Sequence, residues 1–111
     1  MLCRLLNGIP ALVAWVCVVM AAATLPATAD GNAATGQQIA KRWCTSCHLV
    51  EYDQKGGASA DVPTFFAIAK RSSGDSAGLK SFLADPHPPM PDLNLTRAEI
   101  NDLLAYIGSL K

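Results

Sequence analysis

Two cysteines and a histidine fall within five residues, in the run Cys44-Thr45-Ser46-Cys47-His48. Three chemistries use such a set. A pair of thiols three positions apart can cycle as a redox dithiol, but that chemistry expects a βαβ neighbourhood, and no strand pattern surrounds these residues. A zinc ion could draw on Cys44, Cys47, His48 and His87. Adjacent residues such as 47 and 48 seldom reach one tetrahedral ion together, and the second ligand pair of a zinc site is missing. The third chemistry fits the five residues without adjustment. C-x-x-C-H is the spacing for covalent attachment of a c-type haem. Each thiol adds to a vinyl group as a thioether, and the following histidine sits beneath the iron as its proximal ligand.

A haem iron of this kind has a second axial position. Met90 is the only methionine beyond residue 29 and lies 42 residues past His48. It stands in Asp85-Pro86-His87-Pro88-Pro89-Met90-Pro91-Asp92, with four prolines between positions 86 and 91. Prolines fix the chain at low entropy cost, which suits a loop that must hold one side chain in place. A methionine filling a core gap would instead sit at helical spacing on an apolar face. Met90 is therefore the expected sixth ligand and His87 its rival. Trp43, Lys70 and Arg71 are candidates for contact with the haem or its propionates, but each is first expected to be a packing residue or a solvated charge.

The elements that must position these groups read as helices. Apolar or small residues at Gly36, Ala40 and Trp43, with Ile39 beside them, predict a first helix from about Ala33 into the cysteine motif. Asn32 or Thr35 caps it, Lys41 and Arg42 face outward, and its last turn is expected to deliver both cysteines. His48 to Val62, with Gly56-Gly57, reads as a loop. Pro63 is expected to open a short helix over Thr64 to Arg71. Ser72-Ser73-Gly74 breaks it. A third helix starts at Asp75 or Ser76, presents Leu79, Phe82 and Leu83 on one face, and ends by Asp85 ahead of Pro86. Thr96 and Glu99 form a capping box. Ile100, Leu103, Leu104, Ile107 and Leu110 then follow the i, i+3, i+4, i+7 pattern of the last helix. The fold class is all-α.

The N-terminus has a different task. Arg4 precedes an uncharged, mostly apolar run from Ile9 to Leu25, and Ala27-Thr28-Ala29 supplies small residues. That order describes a secretory signal peptide over residues 1–29, cleaved after Ala29. An uncleaved membrane anchor is the alternative. The run is shorter than the roughly 20 residues that span a bilayer, and Pro10 and Pro26 interrupt its ends. Val16 and Trp15 before Cys17 do not suit a lipidated cysteine. Cleavage also removes Cys3 and Cys17, leaving Cys44 and Cys47 as the pair an oxidising compartment would join unless haem captured both.

The full chain of 111 residues carries nine Lys/Arg and nine Asp/Glu. Loss of residues 1–29 removes Arg4 and no acid, leaving eight bases, nine acids and a formal charge of −1 on residues 30–111. No basic run points to nucleic acid. One domain is expected, over residues 30–111.

The chain resembles the small monohaem bacterial cytochromes c of class I. The resemblance spans residues 30–111. It is carried by the C-T-S-C-H motif, by Met90-Pro91 and by Asp102-Leu103-Leu104-Ala105-Tyr106-Ile107. It implies a cytochrome c fold whose first and last helices cross at a small residue, here Gly36, against Leu103 and Tyr106. It implies that a proline carbonyl, matched by Pro63, accepts a hydrogen bond from the proximal histidine. One position departs from the pattern: the aromatic usual four residues before the first cysteine is Ala40, with Trp43, Phe65 or Phe66 left to fill the space. The implied cofactor is one covalent haem c, held by Cys44, Cys47, His48 and Met90, with His48 and Met90 on the iron. The implied function is electron carriage in the periplasm rather than enzymatic catalysis. Its expected partners are redox proteins: a dehydrogenase, a reductase or a terminal oxidase. No stable membrane insertion is expected after signal cleavage. Two alternatives remain: the haem subunit of a larger oxidoreductase complex, and a peroxidase or gas sensor with an open sixth position.

Overall fold

The computed structural model describes residues 31–111; the expected signal segment lies outside them. Four α-helices follow in order: α1 (Ala33–Trp43), α2 (Phe65–Arg71), α3 (Ser76–Ala84) and α4 (Arg97–Ser109). A 3₁₀ turn, Ser72–Gly74, separates α2 from α3. No strand occurs among the described residues.

Each helix starts on a side-chain cap that satisfies one of its orphan amides. Asn32 accepts from the Thr35 amide at 3.0 Å. Thr64 accepts from Ala67 at 3.1 Å, and Asp75 from Gly78 at 2.8 Å. At α4 the capping box is complete. Thr96 Oγ1 accepts from the Glu99 amide at 3.2 Å, and Glu99 Oε2 accepts from the Thr96 amide at 2.8 Å. Thr64, expected inside the helix that Pro63 opens, is instead the N-cap of α2. Pro63 consequently stands outside α2, which opens at Phe65.

α1 and α4 cross at Gly36. A β-carbon at Gly36 would overlap the Asp102 carbonyl group and lie 2.9 Å from Tyr106 Cβ. Only glycine lets the two backbones approach this closely. The amide of Asn32 also donates to Asp102 Oδ1 at 2.6 Å, tying the start of α1 to the middle of α4. Ile100, Leu103, Tyr106 and Ile107 bury the inner face of α4 against Ala40, Val50, Phe65, Ala69 and Leu83. Leu104 and Leu110 complete its stripe as half-buried residues.

Two expectations about α1 change. Trp43 shares a helical face with Gly36 and Ala40, yet it is 51% exposed, whereas Ala40 is fully buried. Contact with α4 is made at Gly36, and Trp43 sits at the helix end, against the cleft described below. The Arg42 guanidinium lies 5.1 Å from its ring centroid. The helix also ends before the motif rather than carrying it. Cys44 is the C-cap, and its carbonyl accepts from both Cys47 (3.2 Å) and His48 (2.8 Å), so the motif closes as tight turns.

Of the aromatics left to fill the space, α2 supplies the one that is buried in the same core as Ala40. Phe65 is buried, with ring centroids 5.5 Å from His48 and 6.3 Å from Tyr106. Phe66 points elsewhere and stacks on Tyr52 at 3.9 Å.

Candidate functional site: a cleft lined by the cysteine motif and Met90

A cleft of about 500 Å³ opens between the motif, α2, α3, α4 and the proline-rich loop. Its size falls within the roughly 300–1,000 Å³ typical of cofactor sites. The lining is mostly apolar, including Phe65, Phe82, Leu83, Leu103 and Ile107. Into it come Cys44, Cys47, His48 and Met90. The structure thus gathers all four residues singled out from the sequence, from two segments 42 positions apart.

His48 is held by its ring. Nδ1 lies 2.7 Å from the Pro63 carbonyl oxygen. A carbonyl only accepts, so Nδ1 carries a proton, and in the neutral imidazole Nε2 is the nitrogen left with a lone pair. A metal-binding imidazole needs this arrangement, with the second nitrogen donating to a carbonyl that fixes tautomer and orientation. The bond also realises the role that the resemblance implied for Pro63. Position outside α2 leaves the proline next to the loop and lets its carbonyl turn toward the histidine.

The two thiols differ. Cys44 is buried at 8% exposure, and burial pushes its thiol up to about 11. Removing a thiolate from water costs free energy, so Cys44 stays an S–H group at neutral pH. Cys47 is exposed on the cleft rim. Both are free thiols.

Met90 is half-buried and packs against the core cluster. Its amide donates to the His87 carbonyl at 3.2 Å, which closes the proline-rich loop under it. His87 also reaches the cleft, edge-on to Phe82 at 5.0 Å, with Nδ1 3.3 Å from the Pro88 carbonyl oxygen. Trp43 and Arg71 line the cleft, and Lys70 does not. Among the described residues no group of three or more His, Cys, Asp or Glu side chains is placed to hold a metal ion between them.

A residue that the sequence reading passed over organises the loop beyond the motif. Gln54 Oε1 accepts from the Val50 amide at 2.9 Å, and Nε2 lies 3.0 Å from the His48 carbonyl oxygen and 2.9 Å from that of Gly56. Gly56 and Gly57, with φ of +86° and +82°, allow the return turn. The glycine pair was the visible signal that something closes tightly there. Tyr106 adds a bond from the far side, its buried hydroxyl donating to the Val50 carbonyl at 2.7 Å.

The donor set suits covalent haem on every count that these residues can test. Two thiols stand beside a histidine with a free Nε2, and an apolar cleft of cofactor size faces them.

Comparison with known proteins agrees with the geometry. The cytochrome c family profile matches residues 33–111. A cytochrome c-552 of Bradyrhizobium diazoefficiens is 47% identical over 97 residues, covering 86% of this chain and 92% of that protein. No solved structure matches significantly. The chain belongs to the cytochrome c family, haem c proteins that carry electrons.

Proposed function

We propose that the protein is a diffusible periplasmic electron carrier. In this reading haem is attached through Cys44 and Cys47, and its iron is ligated by His48 and Met90. The observation that carries the reading is the single apolar cleft that collects these four residues. When bound, the haem supplies an iron that takes up and gives back one electron.

The chain's own residues do the rest. Cys44 and Cys47 would hold the haem covalently, each S–H adding across a vinyl group with the sulfur bonding one carbon and the proton going to its neighbour. His48, steered by Pro63, offers Nε2. Met90 offers a neutral thioether, a ligand that favours the ferrous state and raises the reduction potential. The proline-rich loop keeps that sulfur in place in both redox states, so electron transfer requires little rearrangement. Phe65, Leu83 and Leu103 keep water from the buried side.

Diffusion fits the surface. Among the described residues the large exposed apolar side chains are Trp43 and Tyr52, and Tyr52 is already stacked on Phe66. A permanent subunit of a complex exposes a larger contiguous patch. No helix among the described residues is long and apolar enough to cross a membrane. Export follows from residues 1–29, with cleavage after Ala29. The match to the Bradyrhizobium protein takes in 86% of this chain, whereas residues 30–111 make up 82 of 111, so the similarity runs into the leader.

Optical spectra of the protein from its native compartment test the assignment. A reduced c-type α-band with a weak ferric band at the red end, from sulfur on iron, is the expected result. Carbon monoxide should leave the ferrous spectrum unchanged. A missing sulfur band or a carbon monoxide shift would overturn Met90 ligation and point to His87 or to an open site, the latter favouring a sensor or peroxidase.

A further inference from the structure

We infer that Gln54 is a positioning residue for the proximal histidine, setting the strength of the His48–Pro63 hydrogen bond and through it the redox balance of the protein. The inference rests on the reading of His48 as an iron ligand. The juxtaposition is specific. Carbonyls along the strip from Cys47 to Val50 are each engaged: Cys47 by the Ser59 amide (2.9 Å), Leu49 by the Phe65 amide (2.9 Å) and Val50 by the Tyr106 hydroxyl (2.7 Å). His48 is the one in this strip whose carbonyl is held by a side chain from the same loop, Gln54 at 3.0 Å. The same amide group takes the Val50 N–H at 2.9 Å. One side chain therefore fixes the backbone on both sides of Leu49.

Its donor capacity is used up. An amide NH₂ has two hydrogens. The close acceptors are the carbonyls of Gly56 (2.9 Å) and His48 (3.0 Å), with Thr45 at a marginal 3.4 Å. A β-carbon at Gly57 would overlap the Thr45 carbonyl, so the return limb of the loop presses directly on the motif. The loop cannot move without moving residues 45–50.

The consequence reaches the iron ligand through geometry alone. The His48 amide is tied to Cys44 at 2.8 Å, its carbonyl to Gln54 and its ring to Pro63 at 2.7 Å. With the carbonyl released, the residue turns about its amide tether to Cys44, and the ring bond lengthens. Donation from Nδ1–H to a carbonyl makes the imidazole more basic, which stabilises ferric iron. A weaker bond therefore shifts the protein toward the reduced form.

The test replaces Gln54 by methionine, of similar length but without the amide, in the haem-loaded protein. The expected result is a rise of about threefold in the reduced-to-oxidised ratio at fixed ambient potential, or about 28 mV at 59 mV per tenfold for one electron. The His48 ring proton signals should move with it. Thr96→Ala, which removes the α4 cap and touches neither Gln54 nor the His48–Pro63 bond, serves as the stability control and should leave the ratio unchanged. An unchanged ratio in Gln54→Met, a shift toward oxidised, or an equal shift in Thr96→Ala would overturn the inference. A second measurement needs no variant. In the unaltered protein both Gln54 side-chain amide protons should exchange slowly in both redox states, and fast exchange would overturn the inference even if Gln54→Met failed to mature. The underlying ligand assignment fails separately, if the His48 ring signals of the unaltered ferric protein show no paramagnetic shift.

Discussion

Gly36→Ala isolates the helix crossing on which the cleft depends. Two terms of opposite sign compete. Alanine is a better helix former than glycine, worth about 1 kcal/mol in a helix interior. Against this stands the contact with α4. The added β-carbon would overlap the Asp102 carbonyl group, lie 2.5 Å from its carbon and lie 2.9 Å from Tyr106 Cβ. Ordinary contact begins near 3.4 Å, so the helices must separate by about 1 Å. The obstacle is backbone, which cannot rotate away as a long side chain would. Overpacking typically costs about 1–3 kcal/mol, and a rigid obstacle places this case at the upper end. The net loss is then about 2 kcal/mol, or about 8–16 °C in Tm at the 4–8 °C per kcal/mol usual for a domain of this size. Thermal unfolding of the haem-loaded variant, followed at 222 nm, measures it directly, since covalent haem does not leave the unfolded chain. An unchanged or higher Tm would show that propensity wins, and that the α1–α4 contact is looser than these distances require.

Removal of haem should be more severe. A mostly apolar cleft of about 500 Å³ left without its cofactor exposes the inner faces of α2, α3 and α4 to water, a large loss for a domain of marginal stability. A Cys44→Ala/Cys47→Ala chain made without haem should lack cooperative far-UV unfolding at neutral pH; a sharp transition there would contradict this. Tyr106→Phe deletes the hydroxyl that satisfies the buried Val50 carbonyl and should cost about 1–3 kcal/mol, read from denaturant midpoints at constant m-value. The α4 cap predicts a pH dependence. The Thr96 amide, and then its hydroxyl, hold the Glu99 carboxyl below its ordinary value of 4.5. A depressed folded value means that the stabilisation is present above pH 4.5 and is lost as pH falls through the folded value. The Tm difference between the unaltered protein and Glu99→Gln should therefore be constant from pH 7 to 5 and shrink below 4.5; a difference that grows on acidification would refute the capping role.

What the sequence made legible was local. The C-x-x-C-H spacing, the Thr96–Glu99 box, the α4 stripe and the prolines around Met90 each act within about one or two turns of chain, and each appears in the fold where its chemistry places it. The misses share a different cause. Trp43 has the right helical phase for the core, yet the partner helix packs at Gly36 and leaves the end of α1 to the cleft. Phase gives direction, but it does not say what lies in that direction. Pro63 has the right residue type to start a helix. Thr64 caps it instead, because a side-chain oxygen satisfies an orphan amide and a proline only avoids having one. The displaced proline carbonyl then becomes free to fix the His48 tautomer. Gln54 was hidden for the strongest reason. A polar residue in a polar loop carries no periodicity, and its importance comes from four main-chain groups that the fold brings within reach of one amide. The groups proposed to bind could therefore be read from the chain in order, whereas the groups that aim them depend on which backbone carbonyls folding leaves without a partner. His48 joins the two sets: its identity is written in a five-residue motif, and its orientation depends on Gln54 and Pro63, six and fifteen residues further along.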